Sequence, residues 1–250
     1  MNCFLRALHE LDYHDMRKFV FCSGIGCAAW IPSPYFKADS IHAAHGRSIP
    51  VATGIKLMRP DLNVIVFGGD GDIAGIGLSH LVHAARRNIG ITVVMVNNMI
   101  YGMTGGQVAP TTPLGIKTTT TPYGSFDPPL DTTRLVATAG ASYAARWTTL
   151  HFEQLKDAMK TAVTTNGFAF IEAVSPCPTT FGRRIGLKDA AEMLRWFKQN
   201  TTLKEKANEM TETELANRIV VGKFAHTEKR TFTDHLQETL KKAEKAARKN

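Results

Sequence analysis

The sequence contains no CxxC pair and no HExxH, and its four cysteines, Cys3, Cys22, Cys27 and Cys177, are scattered along 250 residues. A disulfide-stapled secreted module and the common zinc centres are thereby excluded. Long hydrophobic runs are also missing: nowhere do about eighteen uncharged apolar residues follow one another, as a membrane span requires. The amino-terminal MNCFLRALHELD breaks its apolar run with Arg6, His9 and Glu10, unlike a signal peptide, so a cytoplasmic protein with no membrane partner is expected. Acidic residues are in the minority, 22 against 30 Lys and Arg, for a formal charge of +8. The imbalance is local, because from residue 182 onward 16 basic residues face 10 acidic ones and supply +6 of it. Acidic side chains are interspersed through that stretch, the pattern of a solvated helical surface, and no nucleic-acid partner is expected.

What is present is a 44% apolar composition, enough over this length for the core of one large α/β domain. The clearest core segment is VIVFGGDGD at 64–72. Positions 64–67 are apolar without alternation, the pattern of a parallel strand covered on both faces, and 68–72 is turn chemistry. Positions 73–87 then read as a helix rich in small residues, Gly90 breaks the chain, and ITVVMVNN is a second apolar run ending in amides. Strand, glycine turn, helix, strand is a βαβ unit, which predicts an α/β fold with a doubly wound, mostly parallel sheet and ligands at the strand carboxyl ends.

Further strands are predicted at 18–22, in ASYAARWT and in FAFIEAVSPC. Helices are predicted at the amino terminus with Phe4, Leu5, Leu8 and Leu11 on one face, from about 49 to 58, over 132–140 and over 152–166. The Thr-, Pro- and Gly-rich stretch after Asn98 is about thirty residues long, a length that marks function or disorder. Residues 1–181 are assigned to the main domain and 182–250 to a basic helical carboxyl-terminal arm, clearest in DAAEMLRWFKQN and HLQETLKKAEKAARKN.

A GDGD turn on its own is consistent with carboxylates that cap the next helix. Here Asp70 lies 28 residues before Asn98, the length of one βαβ crossover, so Asp70, Asp72, Asn97 and Asn98 converge on one sheet edge. One carboxylate and one amide oxygen, completed by diphosphate oxygens and water, suit octahedral Mg2+. Glycines 69 and 71 let the backbone approach a phosphate, and a helix starting near Ile73 directs its amide dipole at it.

At this spacing GDG followed by NN resembles the thiamine diphosphate signature. The blocks SGIGC, HAAHGRSIPVATGIKL, GGDGD, HAARRNI, NNMIYGMTGGQVAPTT and SPCPT follow in order over roughly residues 20–180 and together resemble the beta subunit of 2-oxoacid:ferredoxin oxidoreductases. The resemblance implies the diphosphate-binding half of a thiamine diphosphate fold, with Mg2+ on Asp70, the Asn98 side chain and the Ile100 carbonyl. It implies Gly69, Gly71, Gly102, Met103 and Thr104 around the diphosphate, and Ile25, Gly26, Cys27, Ala28 and His45 lining the cofactor from the other side. His45, in HGR at a loop tip, is the expected catalytic group, a hydrogen-bonding partner of the reacting species; a structural histidine is its rival. Asp72 is read as a helix cap or a support of the site, His42 as structural, and Arg86 and Arg87 as surface or interface residues.

The implied reaction is oxidative decarboxylation of a 2-oxoacid, with coenzyme A as acyl acceptor, CO2 released and ferredoxin reduced. Gly105 in MTGGQ, where some relatives have lysine, points to 2-oxoglutarate; pyruvate and branched-chain substrates remain alternatives. A glutamate facing the aminopyrimidine would come from an alpha subunit, so the isolated chain is expected to be inactive. The family's beta subunit normally carries a four-iron, four-sulfur cluster on four cysteines, and the match supplies two, Cys27 and Cys177. The other pair belongs to a WCPGCG-like motif ahead of the first helix. This sequence begins inside that helix without a cap outside Asn2, so a truncated amino terminus is expected. Cys3 and Cys22 read as core. A cofactor-binding assembly subunit without catalytic competence is the competing reading; a standalone decarboxylase would require a second domain.

Overall fold

Positions 64–67 are buried throughout, as their unbroken apolar run predicts for a strand covered on both sides. The computed structural model describes residues 1–187, 189–215 and 218–248. It places this run in β3 (Asn63–Gly69), near the middle of an eight-stranded sheet. The other strands are β1 (Phe19–Ser23), β2 (Asp39–His42), β4 (Thr92–Asn97), β5 (Tyr143–Thr148), β6 (Ala169–Val174), β7 (Thr201–Leu203) and β8 (Ile219–His226), in the order β2-β1-β3-β4-β6-β5-β8-β7. Neighbours run parallel except β5 and β8, which are antiparallel.

Successive strand residues feed two cores. Val64, Val66, Val93, Met95 and Phe170 pack against Ile49, Ala52, Leu81, Ala85 and Val136 from helices Ser48–Met58, Leu78–Arg86 and Thr132–Ala139. Ile65, Phe67, Val94 and Ile171 pack on the opposite face against Phe4, Leu8, Leu155 and Met159 from helices Asn2–Glu10 and Phe152–Thr164. The sheet is therefore doubly wound, as predicted. A third cluster of Met99, Ile100, Val174, Phe181, Met193 and Phe197 lies just beyond the strand carboxyl ends. Among the described residues no helix is long and apolar enough to cross a membrane.

Three expectations are corrected. The first helix buries Cys3, Phe4, Ala7 and Leu8, while Leu5 is 37% exposed; its inner face is centred between the 3/7 and 4/8 rows. The segment after GDGD is not one helix from 73. A π-helical turn, Gly71–Ile76, precedes the α-helix Leu78–Arg86, and such turns mark departures from regular backbone near functional sites. The carboxyl-terminal segment has the expected helices, Ala190–Asn200 and Phe232–Ala247, but it also contributes β7 and β8 to the sheet. The physical reason is pairing: β5 offers a free row of backbone groups, and β8 satisfies it.

Candidate active site

The carboxyl ends of β1, β3, β4 and β6 deliver Gly24–Cys27, Asp70–Asp72, Asn97–Gly102 and Cys177 to one side of the sheet, where this topology places ligands. Asp70 is 2% exposed. The Thr111 hydroxyl donates to its Oδ2, and burial pushes the carboxyl up to about 6 against the opposing pull of that bond. One terminal atom of the Asn98 amide lies 2.7 Å from the Ile100 carbonyl oxygen and 3.1 Å from Asp70 Oδ1. As oxygen it faces these two acceptors and accepts a long bond from the Ile100 N–H (3.3 Å); as nitrogen it would donate to both. Read as oxygen, its separations of 2.7 and 3.1 Å from the other two oxygens match the edges of an octahedron built at the 2.0–2.1 Å bond lengths of Mg2+. The donor set therefore fits a hard cation, and Asp70, Asn98 and Ile100 come together as expected.

Asp72, also 2% exposed, does something else. It makes no helix cap. Its Oδ1 accepts from the Ile25 N–H (3.3 Å), the Gly46 N–H (2.6 Å) and His45 Nδ1 (2.7 Å), pinning the SGIGC and HGR loops to the GDGD turn. Gly24 is required by this arrangement, since a Cβ there would fall 2.2 Å from Asp72 Oδ2. With Nδ1–H given to Asp72, His45 keeps Nε2 for another partner; its side chain is 32% exposed. His42 stands on the exposed edge strand β2, with Nδ1 2.7 Å from Ser23 Oγ.

Space for a cofactor is uneven among the predicted glycines. A Cβ at Gly69 or Gly26 would meet nothing within 4 Å, so both face open room. Gly71 has a different reason to be glycine: a Cβ would fall 2.1 Å from the Tyr101 ring, whose hydroxyl donates to the Gly71 carbonyl (3.0 Å). Gly102 sits between Asn98, Thr180 and the Cys177 sulfur. Met103 and Thr104 are exposed on a tight turn closed by the Gly106 N–H to Tyr101 carbonyl bond (2.9 Å). The Thr104 hydroxyl is engaged with Gln107 Oε1 (2.5 Å). Ala28 is buried, whereas Ile25 (52%) and Cys27 are exposed.

The thiols divide cleanly. Cys3 and Cys22 are buried in opposite cores, burial pushes Cys22 up to about 12, and only Cys27 and Cys177 are accessible. Among the described residues no group of three or more His, Cys, Asp or Glu could hold a metal. The described thiols therefore do not form the four-thiolate set that a four-iron cluster requires. Sequence reasoning missed Thr111, Tyr101 and Glu172; the one available signal was Glu172, a lone charge in the otherwise apolar AFIEAV.

Residues 24–173 match the thiamine pyrophosphate enzyme family, C-terminal TPP binding domain. The 2-oxoglutarate synthase subunit KorB of Methanocaldococcus jannaschii is 49% identical over 97% of this chain and 89% of its own length. The chain belongs to the beta-subunit family of 2-oxoacid:ferredoxin oxidoreductases. Within it, the similarity to a subunit beta of a 2-oxoacid:ferredoxin oxidoreductase from Aeropyrum pernix is lower, 44% over 72% of this beta-type chain and 57% of the relative. A 2-oxoglutarate:ferredoxin oxidoreductase structure from Magnetococcus marinus, solved with 2-oxoglutarate, coenzyme A and succinyl-CoA bound, superimposes with a TM-score of 0.83. It shares 32% identity over 97% of this beta-type chain and 82% of that one.

Proposed function

We propose that this chain is the cofactor-binding beta subunit of a 2-oxoglutarate:ferredoxin oxidoreductase that completes its active site with an alpha partner. The observation that carries this reading is the convergence of Asp70 Oδ1, the Asn98 amide and the Ile100 carbonyl at the strand edge, the Asn98 amide lying 3.1 Å from the first and 2.7 Å from the last. Mg2+ would be held by these three groups and joined to a diphosphate over Gly69 and the first turn beyond it. Thiamine diphosphate, when bound, supplies the electron sink for decarboxylation of the 2-oxoacid.

The chain's own residues then have distinct tasks. Asp72 fixes His45 with Nε2 free to hydrogen-bond or exchange a proton with the reacting carboxylate or carbonyl. Ile25 and Met103, both about half exposed, form an apolar rim that a partner chain would close against water. Coenzyme A and ferredoxin are assigned to the assembled complex, and no electron path is assigned through the thiols of this chain. The competing reading is an assembly subunit that binds cofactor without turning over.

The test is co-expression with the alpha partner, followed by anaerobic iron quantification and 2-oxoglutarate- and coenzyme A-dependent viologen reduction. Activity in the complex and none in the isolated chain is expected. Decarboxylation by the isolated chain, or preference for pyruvate or a branched-chain 2-oxoacid, would overturn the assignment; cofactor binding without turnover would establish the second reading.

A further inference from the structure

The groups at the metal end share one irregular turn. Met99 has φ +64°, a left-handed conformation that side chains other than glycine, asparagine and aspartate adopt only when the surroundings impose it. The turn brings the Asn98 side chain and the Ile100 carbonyl back toward Asp70. Two hydrogen bonds hold it: Asn97 Oδ1 accepts the Met99 N–H (2.9 Å), and the Met99 carbonyl accepts the Thr112 hydroxyl (2.7 Å).

Asn97 is held in turn. Its Nδ2 donates to Glu172 Oε1 (2.8 Å). Glu172 stands on β6, between β4 and β5, and is 2% exposed. Its other oxygen accepts from Arg146 Nε (2.7 Å), its direct cross-strand neighbour on β5, and from the Thr133 hydroxyl. Arg146 goes on to Asp131 and to the Val220 carbonyl (3.2 Å). Packing alone does not call for a carboxylate here. An apolar side chain would continue the core of β6, and a buried ion pair is weak support for stability. What the carboxylate does impose is direction: facing two acceptor oxygens, the Asn97 amide must present nitrogen to Glu172 and oxygen to Met99.

We propose that Glu172 is a positioning residue for the metal end of the site, orienting the Asn97 amide and thereby locking residue 99 in the conformation that gathers the oxygens of Asn98 and Ile100 around Asp70. The proposal rests on reading those oxygens as a cation site. In Glu172→Gln, one carboxylate oxygen becomes an amide nitrogen. Either Arg146 and Thr133 or Asn97 then loses its acceptor, and the full-charge partner Arg146 retains it.

The test uses the full chain in complex with its alpha partner, stripped of cofactor, with Mn2+ as probe in the presence of thiamine diphosphate. Affinity is read by electron paramagnetic resonance, and the fold by circular dichroism and thermal melting. Glu172→Gln is expected to weaken Mn2+ binding by about 10-fold, the low end of the effect of removing a hydrogen-bonding partner of a metal ligand because Glu172 acts one step further out, through Asn97, with native circular dichroism. Met99→Gly added to it is expected to recover part of the affinity, because glycine occupies the left-handed region without a clamp. Should Glu172→Gln fail to fold, Asn97→Ala with and without Met99→Gly interrogates the same link. Unchanged Mn2+ affinity, or a loss that glycine at 99 does not recover, overturns the proposal. A wild-type complex that binds no Mn2+ overturns the cation reading itself, and this inference with it.

Discussion

Asp70 and Asp72 are two residues apart and equally buried, at 2% exposure each, yet they face different things. Asp70 accepts from the Thr111 hydroxyl and from backbone N–H groups of its own turn and of Asn98, and its Oδ1 lies 3.1 Å from a terminal atom of the Asn98 amide that also faces the Ile100 carbonyl. Around Asp72 the neighbours are donors, two backbone N–H groups and an imidazole on one oxygen. Burial raises the Asp70 carboxyl in spite of its donors, and a cation beside Oδ1 would complete it; Asp72, tied through Oδ1 to two loops, is part of the scaffold. The same residue type thus binds at one position and braces at the other.

That contrast can be broken at its strongest point first. Asp70→Asn removes the charge from the site beside Asn98 and Ile100 and is expected to abolish detectable Mn2+ binding. 2-Oxoglutarate-dependent viologen reduction should fall by more than about 100-fold, beyond what loss of an outer-shell partner does. Asp72→Ala should act on stability. It strands the Ile25 and Gly46 N–H groups and His45 Nδ1, and each buried donor left unsatisfied costs about 1–3 kcal/mol, which a thermal melt of the complex would register. Asp72→Asn keeps an acceptor for those groups and is expected to recover much of the loss. Equal Mn2+ affinity in Asp72→Asn and wild type would sharpen the division of labour; a collapse of affinity would blur it.

The smallest expected effect concerns a third carboxylate at the surface. Hydrogen bonds from Lys156 and then Lys160 hold Glu10 down to about 2, the reverse of Asp70. A carboxyl depressed on folding contributes stability that is complete above its ordinary value near 4.5 and lost as pH falls from there through about 2. Melts of Glu10→Gln and wild type should therefore differ slightly at neutral pH, converge at low pH, and differ less in high salt.

Much of this was legible in the sequence. β3 and β4 are built on unbroken apolar runs and β6 on one interrupted only by Glu172, and the crossover spacing implies the approach of Asp70 and Asn98 at one edge. Asp72 was ambiguous because capping and bracing require the same residue in the same turn, and only the distant loops at 25 and 45–46 distinguish them. At Gly71 the sequence offers only the phosphate reading, whereas the structure adds a steric requirement from Tyr101, 30 residues later. Glu172 was overlooked because a single charge scarcely alters an apolar pattern, and its partners lie on two other strands. β8 was invisible for a related reason. IVVGKFAH is a weak strand signal amid charged helical sequence, and it is extended because β5 is there to pair with it.

The placement of β8 has a consequence for how the protein is made. During synthesis β5 leaves the ribosome about 70 residues before its antiparallel partner. The edge is covered only when the carboxyl-terminal segment arrives, so the nascent chain passes through a stage with a bare row of amides and carbonyls beside an almost finished core. A fragment ending near residue 181 would remain at that stage, and its fate would be edge-to-edge association. The basic segment, which reads like an appendage, is thus what closes the β5 edge of the sheet.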